Sequence, residues 1–171
     1  MTGDPLRVAM IGHGFMGAAH SQGWRTAPHM FDLPRPVQMQ VVVGRNPETT
    51  RRSAQKYGWR DSATDWRAVV ERDDIDLVDI VVSGEAHAEI AIAALEAGKH
   101  VLCEKPLANT VAEAEAMTDA ARHSIGLAMV GFTYRRVPAV ALARKLVADG
   151  AIGQIRQARA LYLQDWLSDE T

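Results

Sequence analysis

Cysteine is nearly absent from this chain of 171 residues: Cys103 stands alone, which excludes an internal disulfide and gives no sign of an oxidising compartment. Aromatic residues are scarce as well, at 6%, and Trp24, Trp59, Trp66 and Trp166 are too scattered to form a stacking platform for bases. Neither sign of charge dominates. The 19 Lys and Arg against 21 Asp and Glu leave a formal net charge of −2, with no electrostatic reason to expect nucleic acid. No apolar run approaches the ~18–20 residues of a transmembrane helix, so no membrane partner is expected. Residues 1–10 (MTGDPLRVAM) carry an acid and a proline where a signal peptide has a basic start and an apolar run. No His, Cys, Asp or Glu cluster has metal-ligand spacing, and no metal is expected. A soluble cytoplasmic protein is the resulting expectation.

What is present is a regular alternation of short apolar runs and helical patterns. Arg7–Ile11 is an apolar run of the kind buried on both faces of a parallel sheet, and the reading places a helix at Ala18–Ala27 after it. Pro28, Pro34 and Pro36 predict a loop over 28–36. Val37–Val43 reads as the second strand, and Pro47–Tyr57 as a helix with a first-turn proline and Gly58 as its stop. A weak third strand around Ser62–Thr64 precedes a helix capped by Asp65 and running to about Glu71. Asp76–Val82, His100–Cys103 and Leu127–Phe132 read as further strands. Between them lie helices at His87–Ala97, closed by Gly98, and from Thr110 to about His123. This βαβαβ rhythm predicts an α/β fold with a doubly wound parallel sheet over residues 1–132. Beyond it, Pro138–Ala148 reads as a helix closed by Gly150, and Gln154–Gln164 as a long strand. One strand cannot satisfy its own ladder, so 133–171 reads as the start of an incomplete α+β domain that invites self-association or a partner chain.

Gly12, Gly14 and Gly17 stand in G-x-G-x-x-G spacing, with Phe15 and Met16 between them, directly after a strand and before a helix. That context is what a dinucleotide-binding Rossmann turn needs: a tight turn, a close backbone approach to pyrophosphate, and a helix N-terminus facing the phosphates. A purely structural turn and a methyltransferase loop are the alternatives. The second strand ends in Val43-Gly44-Arg45-Asn46 without an acid. Arg45 is then placed to meet a 2′-phosphate, favouring NADP over NAD, unless it is only a solvated loop residue. The fifth strand delivers Glu104-Lys105-Pro106 to the edge where α/β sheets bind ligands. A lysine beside a nicotinamide can relay a substrate proton during hydride transfer, with a cis bond before Pro106 as an option. On residue type alone, Lys105 would be a surface charge.

Gly12–Gly17, HAEIAIAALEAGKHVLCEKPLA and YRRVPAVALARKLVADGAIGQI together resemble the Gfo/Idh/MocA oxidoreductases, which include glucose–fructose oxidoreductase and inositol dehydrogenases. The proline-rich loop and Tyr162–Trp166 are most similar to the levoglucosan and inositol dehydrogenase branch. The resemblance implies an NAD(P)-dependent oxidoreductase acting on a sugar or polyol. It implies Lys105 as the catalytic-site lysine, Glu104 as its support, and both beside the cofactor. The family's usual Thr-Pro-Asn after the fourth strand is here Val82-Ser83-Gly84, followed by Glu85; Ser83 and the matching His87 fall in that cofactor-touching loop. Family members are roughly twice this length, and their second half supplies an aspartate and a histidine that complete the catalytic group. A nucleotide-binding module, or half of a split enzyme, is therefore the alternative. Among the remaining candidates, His13 could reach cofactor through its backbone, and His20 reads as a packing or solvent residue. Cys103 reads as core, and Tyr134 and Arg135 as near the cleft.

Overall fold

The computed structural model describes residues 3–165, in two units that divide between Gly131 and Phe132. In the first, β1 (Leu6–Ile11) leads to α1 (Phe15–Met30), β2 (Val37–Val43) and α2 (Pro47–Tyr57). Next come β3 (Asp61–Ala63), α3 (Trp66–Val70), β4 (Leu77–Ile80), α4 (His87–Glu96), β5 (His100–Cys103), α5 (Val111–His123) and β6 (Ala128–Val130).

Side chains that answer the unpaired backbone N–H groups fix the helix starts. Asn46 Oδ1 accepts the Thr49 N–H at 3.0 Å, and Asp65 Oδ1 accepts those of Arg67 and Ala68. Thr110 and Glu113 form a reciprocal capping box on α5.

The six strands are all parallel and run in the order β3-β2-β1-β4-β5-β6. The order reverses direction between β1 and β4, where doubly wound sheets open a crevice at their carboxyl ends. Val8, Ala9, Met10, Val41, Val42, Val78 and Ile80 are fully buried, because helices cover both faces of the central strands. Trp24 of α1, Ala54 of α2 and Trp59 pack on one face; Val69 of α3, Ile90 of α4 and Met117 of α5 pack on the other.

Two expectations change. Pro28 does not end the first helix, and the loop begins after Met30. Pro28 lies in the last turn, where its missing N–H costs one terminal bond, and Thr26 Oγ1 donates back to the Gln22 and Gly23 carbonyls. The helix also starts earlier, taking in Phe15, Met16 and Gly17 of the glycine motif.

In the second unit a short 3-10 turn (Thr133–Arg136) leads to α6 (Pro138–Ala148). No strand forms over 154–164 among the described residues. A strand is defined by the ladder it makes with a neighbour, and apolar composition alone does not supply one. Trp166, and the rest of the chain beyond Asp165, lie outside the described residues. Among the described residues no helix is long and apolar enough to cross a membrane.

Candidate functional site

Three chain segments meet at the carboxyl edge of β1, β4 and β5. The first is the glycine turn. Gly12 has φ +107°, and a Cβ there would lie 3.0 Å from the Val81 carbonyl carbon and oxygen. A Cβ on Gly17 would come 2.8 Å from the Gly12 carbonyl oxygen. Both positions are thus closed to a side chain by the protein itself. Gly14 differs, since a Cβ there would meet nothing within 4 Å. It is the N-cap residue of α1, with no side-chain cap and no acid in the first turn. An open face at an uncapped helix N-terminus fits an anionic group approached by backbone, so the residues present fit a dinucleotide pyrophosphate. Phe15 projects from the same turn, 87% exposed. His13 points its ring away from the α1 N-terminus toward α2, with Nε2 3.2 Å from Thr50 Oγ1 and the ring packed on Gly44. Arg45 follows at the exposed end of β2.

The second segment follows β4. Ser83 is exposed and precedes a 3-10 turn, Gly84–Ala86, that hands the chain to His87. His87 is buried at 1% exposure. Its Nε2 lies 3.0 Å from the Val82 carbonyl and its Nδ1 2.9 Å from the Pro106 carbonyl. It therefore ties the β4 loop to the third segment, Glu104-Lys105-Pro106, whose Lys105–Pro106 bond is cis. Glu104 is buried and Lys105 exposed. Glu104 Oε2 accepts the Lys105 backbone N–H at 3.1 Å.

The sequence reading missed one residue at this edge. His20, expected to pack or face solvent, lies between two carboxylates. Its Nδ1 is 3.0 Å from both oxygens of Asp79, and its Nε2 is 3.2 Å from Oε1 of Glu104. Trp24 Nε1 also donates to Asp79 Oδ2, at 2.7 Å. Burial pushes the His20 imidazolium down, but hydrogen bonds and charge from Asp79 and Glu104 outweigh it and hold the group above its ordinary range. A signal was available: Asp79 interrupts the apolar run LVDIVV, and an acid in a strand buried on both faces needs a partner. Burial, then Glu104 and Asp79, push the Cys103 thiol up to about 12, which leaves it inert as a nucleophile. Tyr134 and Arg135 lie in the second unit, where Tyr134 bonds Tyr162 and Arg135 stacks on Phe132.

Residues 6–132 match the model of the GFO_IDH_MocA oxidoreductase family, described as an NAD-binding Rossmann fold. Levoglucosan dehydrogenase of Pseudarthrobacter phenanthrenivorans is 49% identical over 166 residues, covering 96% of this chain and 42% of that enzyme. An oxidoreductase domain protein from Kribbella flavida superimposes with a TM-score of 0.94 at 62% identity, over 98% of this chain and 45% of that one. A levoglucosan dehydrogenase solved in complex with NADH gives a TM-score of 0.90 at 46% identity, over 97% of this chain and 45% of that one. The chain thus spans less than half the length of these relatives. Its glycine turn, strand order and match over residues 6–132 to the family's model together place it in the Gfo/Idh/MocA family of NAD-binding oxidoreductases.

Proposed function

We propose that this chain is the dinucleotide-binding part of a dehydrogenase that exchanges hydride between a nicotinamide and a sugar or polyol. The carrying observation is the open Gly14 face at the uncapped α1 N-terminus, on the same sheet edge as Glu104-Lys105. Gly12, Gly14, Phe15, Met16 and Gly17 present backbone to the pyrophosphate, and Ser83 and His87 bound the nicotinamide side. The bound dinucleotide supplies the hydride chemistry. Lys105 takes the proton of the substrate hydroxyl during oxidation, or returns it during reduction, and Glu104 supports it. Arg45, at the end of a β2 that offers no acid, favours NADPH through its 2′-phosphate; the NADH complex of the 46%-identical relative supports NADH instead. Residues from Phe132 onward begin the domain that carries the substrate pocket and the oligomer contacts.

Calorimetric titration of the chain with NADPH and NADH tests the site. Binding of either supports the reading, and the tighter one decides the role of Arg45. Binding of neither overturns it. In the protein of its relatives' length, K105M is expected to lower turnover of sugars and polyols by about 10²–10⁴-fold while dinucleotide binding persists.

A further inference from the structure

His20 has no part in the function proposed above, yet this partly buried residue contacts two buried carboxylates at that edge. Its ring is held between groups from two different strands: Asp79 of β4, fully buried, and Glu104 beyond β5, 4% exposed. These two carboxylates are the charged groups that face it. The Cys103 thiol beside both is neutral. Carboxylate oxygens accept hydrogen bonds, so a ring with carboxylates at both nitrogens needs an N–H on each, and a neutral imidazole has only one. Glu104 sits against Gly131, where an added Cβ would lie 2.9 Å from its Oε1, so only glycine leaves the carboxylate this position. Its other oxygen takes the Lys105 backbone N–H at 3.1 Å.

We propose that His20 is a positioning residue: as a doubly protonated imidazolium it pins Glu104 to Asp79, and through Glu104 it sets the Glu104-Lys105 turn at the dinucleotide site. The inference rests on the reading that this turn works beside the nicotinamide. Loss of one ring proton leaves a single N–H for two carboxylates, which frees Glu104 and loosens the turn. Dinucleotide affinity therefore falls as pH rises through the His20 titration. A glutamine at this position has its donors on one atom and cannot span the two carboxylates.

The test is nitrogen NMR of the histidine rings in the labelled chain, paired with NADH affinity across pH. Both His20 ring nitrogens are expected to be protonated at neutral pH, with a midpoint above the ordinary value of about 6.5; E104Q lowers that midpoint. NADH affinity is expected to weaken about tenfold through the same midpoint, the equivalent of one net hydrogen bond. H20Q holds the weakened value at every pH. A ring protonated on one nitrogen at neutral pH, or a midpoint unmoved by E104Q, overturns the proposal, and both readings stand even where H20Q fails to fold. NADH binding by H20Q equal to that of the unaltered chain below that midpoint also overturns it. Binding of NADH alongside a singly protonated ring removes the positioning role alone, whereas a correctly titrating ring with no dinucleotide binding removes the function reading and the role with it.

Discussion

Gly14 and Gly17 belong to one motif and are glycine for opposite reasons. Gly17 is closed off by the Gly12 carbonyl 2.8 Å away, so G17A must push backbone aside and is expected to cost about 1–3 kcal/mol in urea unfolding. Gly14 has a negative φ and open space around its missing Cβ. G14V is therefore expected to fold almost normally and to lose dinucleotide binding, read by calorimetry on the folded variant. At Asp79 the balance reverses, because its carboxylate is fully buried and serves both His20 and Trp24. D79A strands two donors and is expected to lower stability by about 3 kcal/mol, measured by the same unfolding. His20 adds a pH dependence of fixed sign. Its folded-state proton affinity is raised, so its stabilisation is complete below about 6.5 and is lost as pH climbs through the higher folded value. The glycine motif was legible because it is contiguous. The His20 bridge was not, since its partners are 59 and 84 residues away in the chain and no local period connects them.

The starts of helices with a side-chain cap were legible, because a cap and its target N–H lie within one turn of each other, whereas uncapped α1 begins at Phe15 and not at the expected Ala18. Asn46, Asp65 and Thr110 cap as their residue types dictate. T110A removes half of the capping box on α5 and is expected to cost about 1 kcal/mol, seen as a lower urea midpoint with an unchanged slope. Element ends proved harder to read. Pro28 reads as a breaker, yet in the final turn it removes a single N–H bond to the carbonyl four residues back, and the helix runs on only to Met30 beyond it. Residues 154–164 carry a strand's composition but form no strand among the described residues, and sequence pattern records only composition. β6 shows the same limit more mildly: its expected span shrank to Ala128–Val130, the length that pairs with β5.

In the first unit, the two edges of the sheet carry different arrangements of charge. The carboxyl edge holds the His20 bridge and Lys105, while the amino edge is laced by ion pairs. Arg7 grips Asp76 through Nη2 at 2.8 Å and Nε at 3.0 Å, joining β1 to the start of β4. Arg72 holds Asp74, and the hydrogen bond from its guanidinium depresses the Asp74 carboxyl to about 2. A carboxyl depressed on folding contributes stability that is complete above its unfolded value of about 3.9 and is lost as pH falls through the folded one. D74N is therefore expected to flatten the decline of the urea midpoint between about pH 4 and 2. The second unit makes a different prediction. Leu142 of α6, Leu161 and Leu163 are 56%, 66% and 84% exposed, the kind of apolar surface that drives association. Sedimentation of the chain is expected to show mass rising with concentration, and the double change L161E and L163E to suppress it.

Trp24 carries a consequence of its own. Its indole donates to Asp79 Oδ2, one of the two oxygens that hold His20, whereas Trp59 bonds the neutral Ser21 hydroxyl and Trp66 lies under Arg67. Indole emission responds to the electric field at the ring, so a proton gained or lost at His20 registers as a spectral shift from this one chromophore. The bridge is thereby built with its own optical gauge, and W24F is expected to remove the His20-dependent part of the emission while leaving the remainder in place.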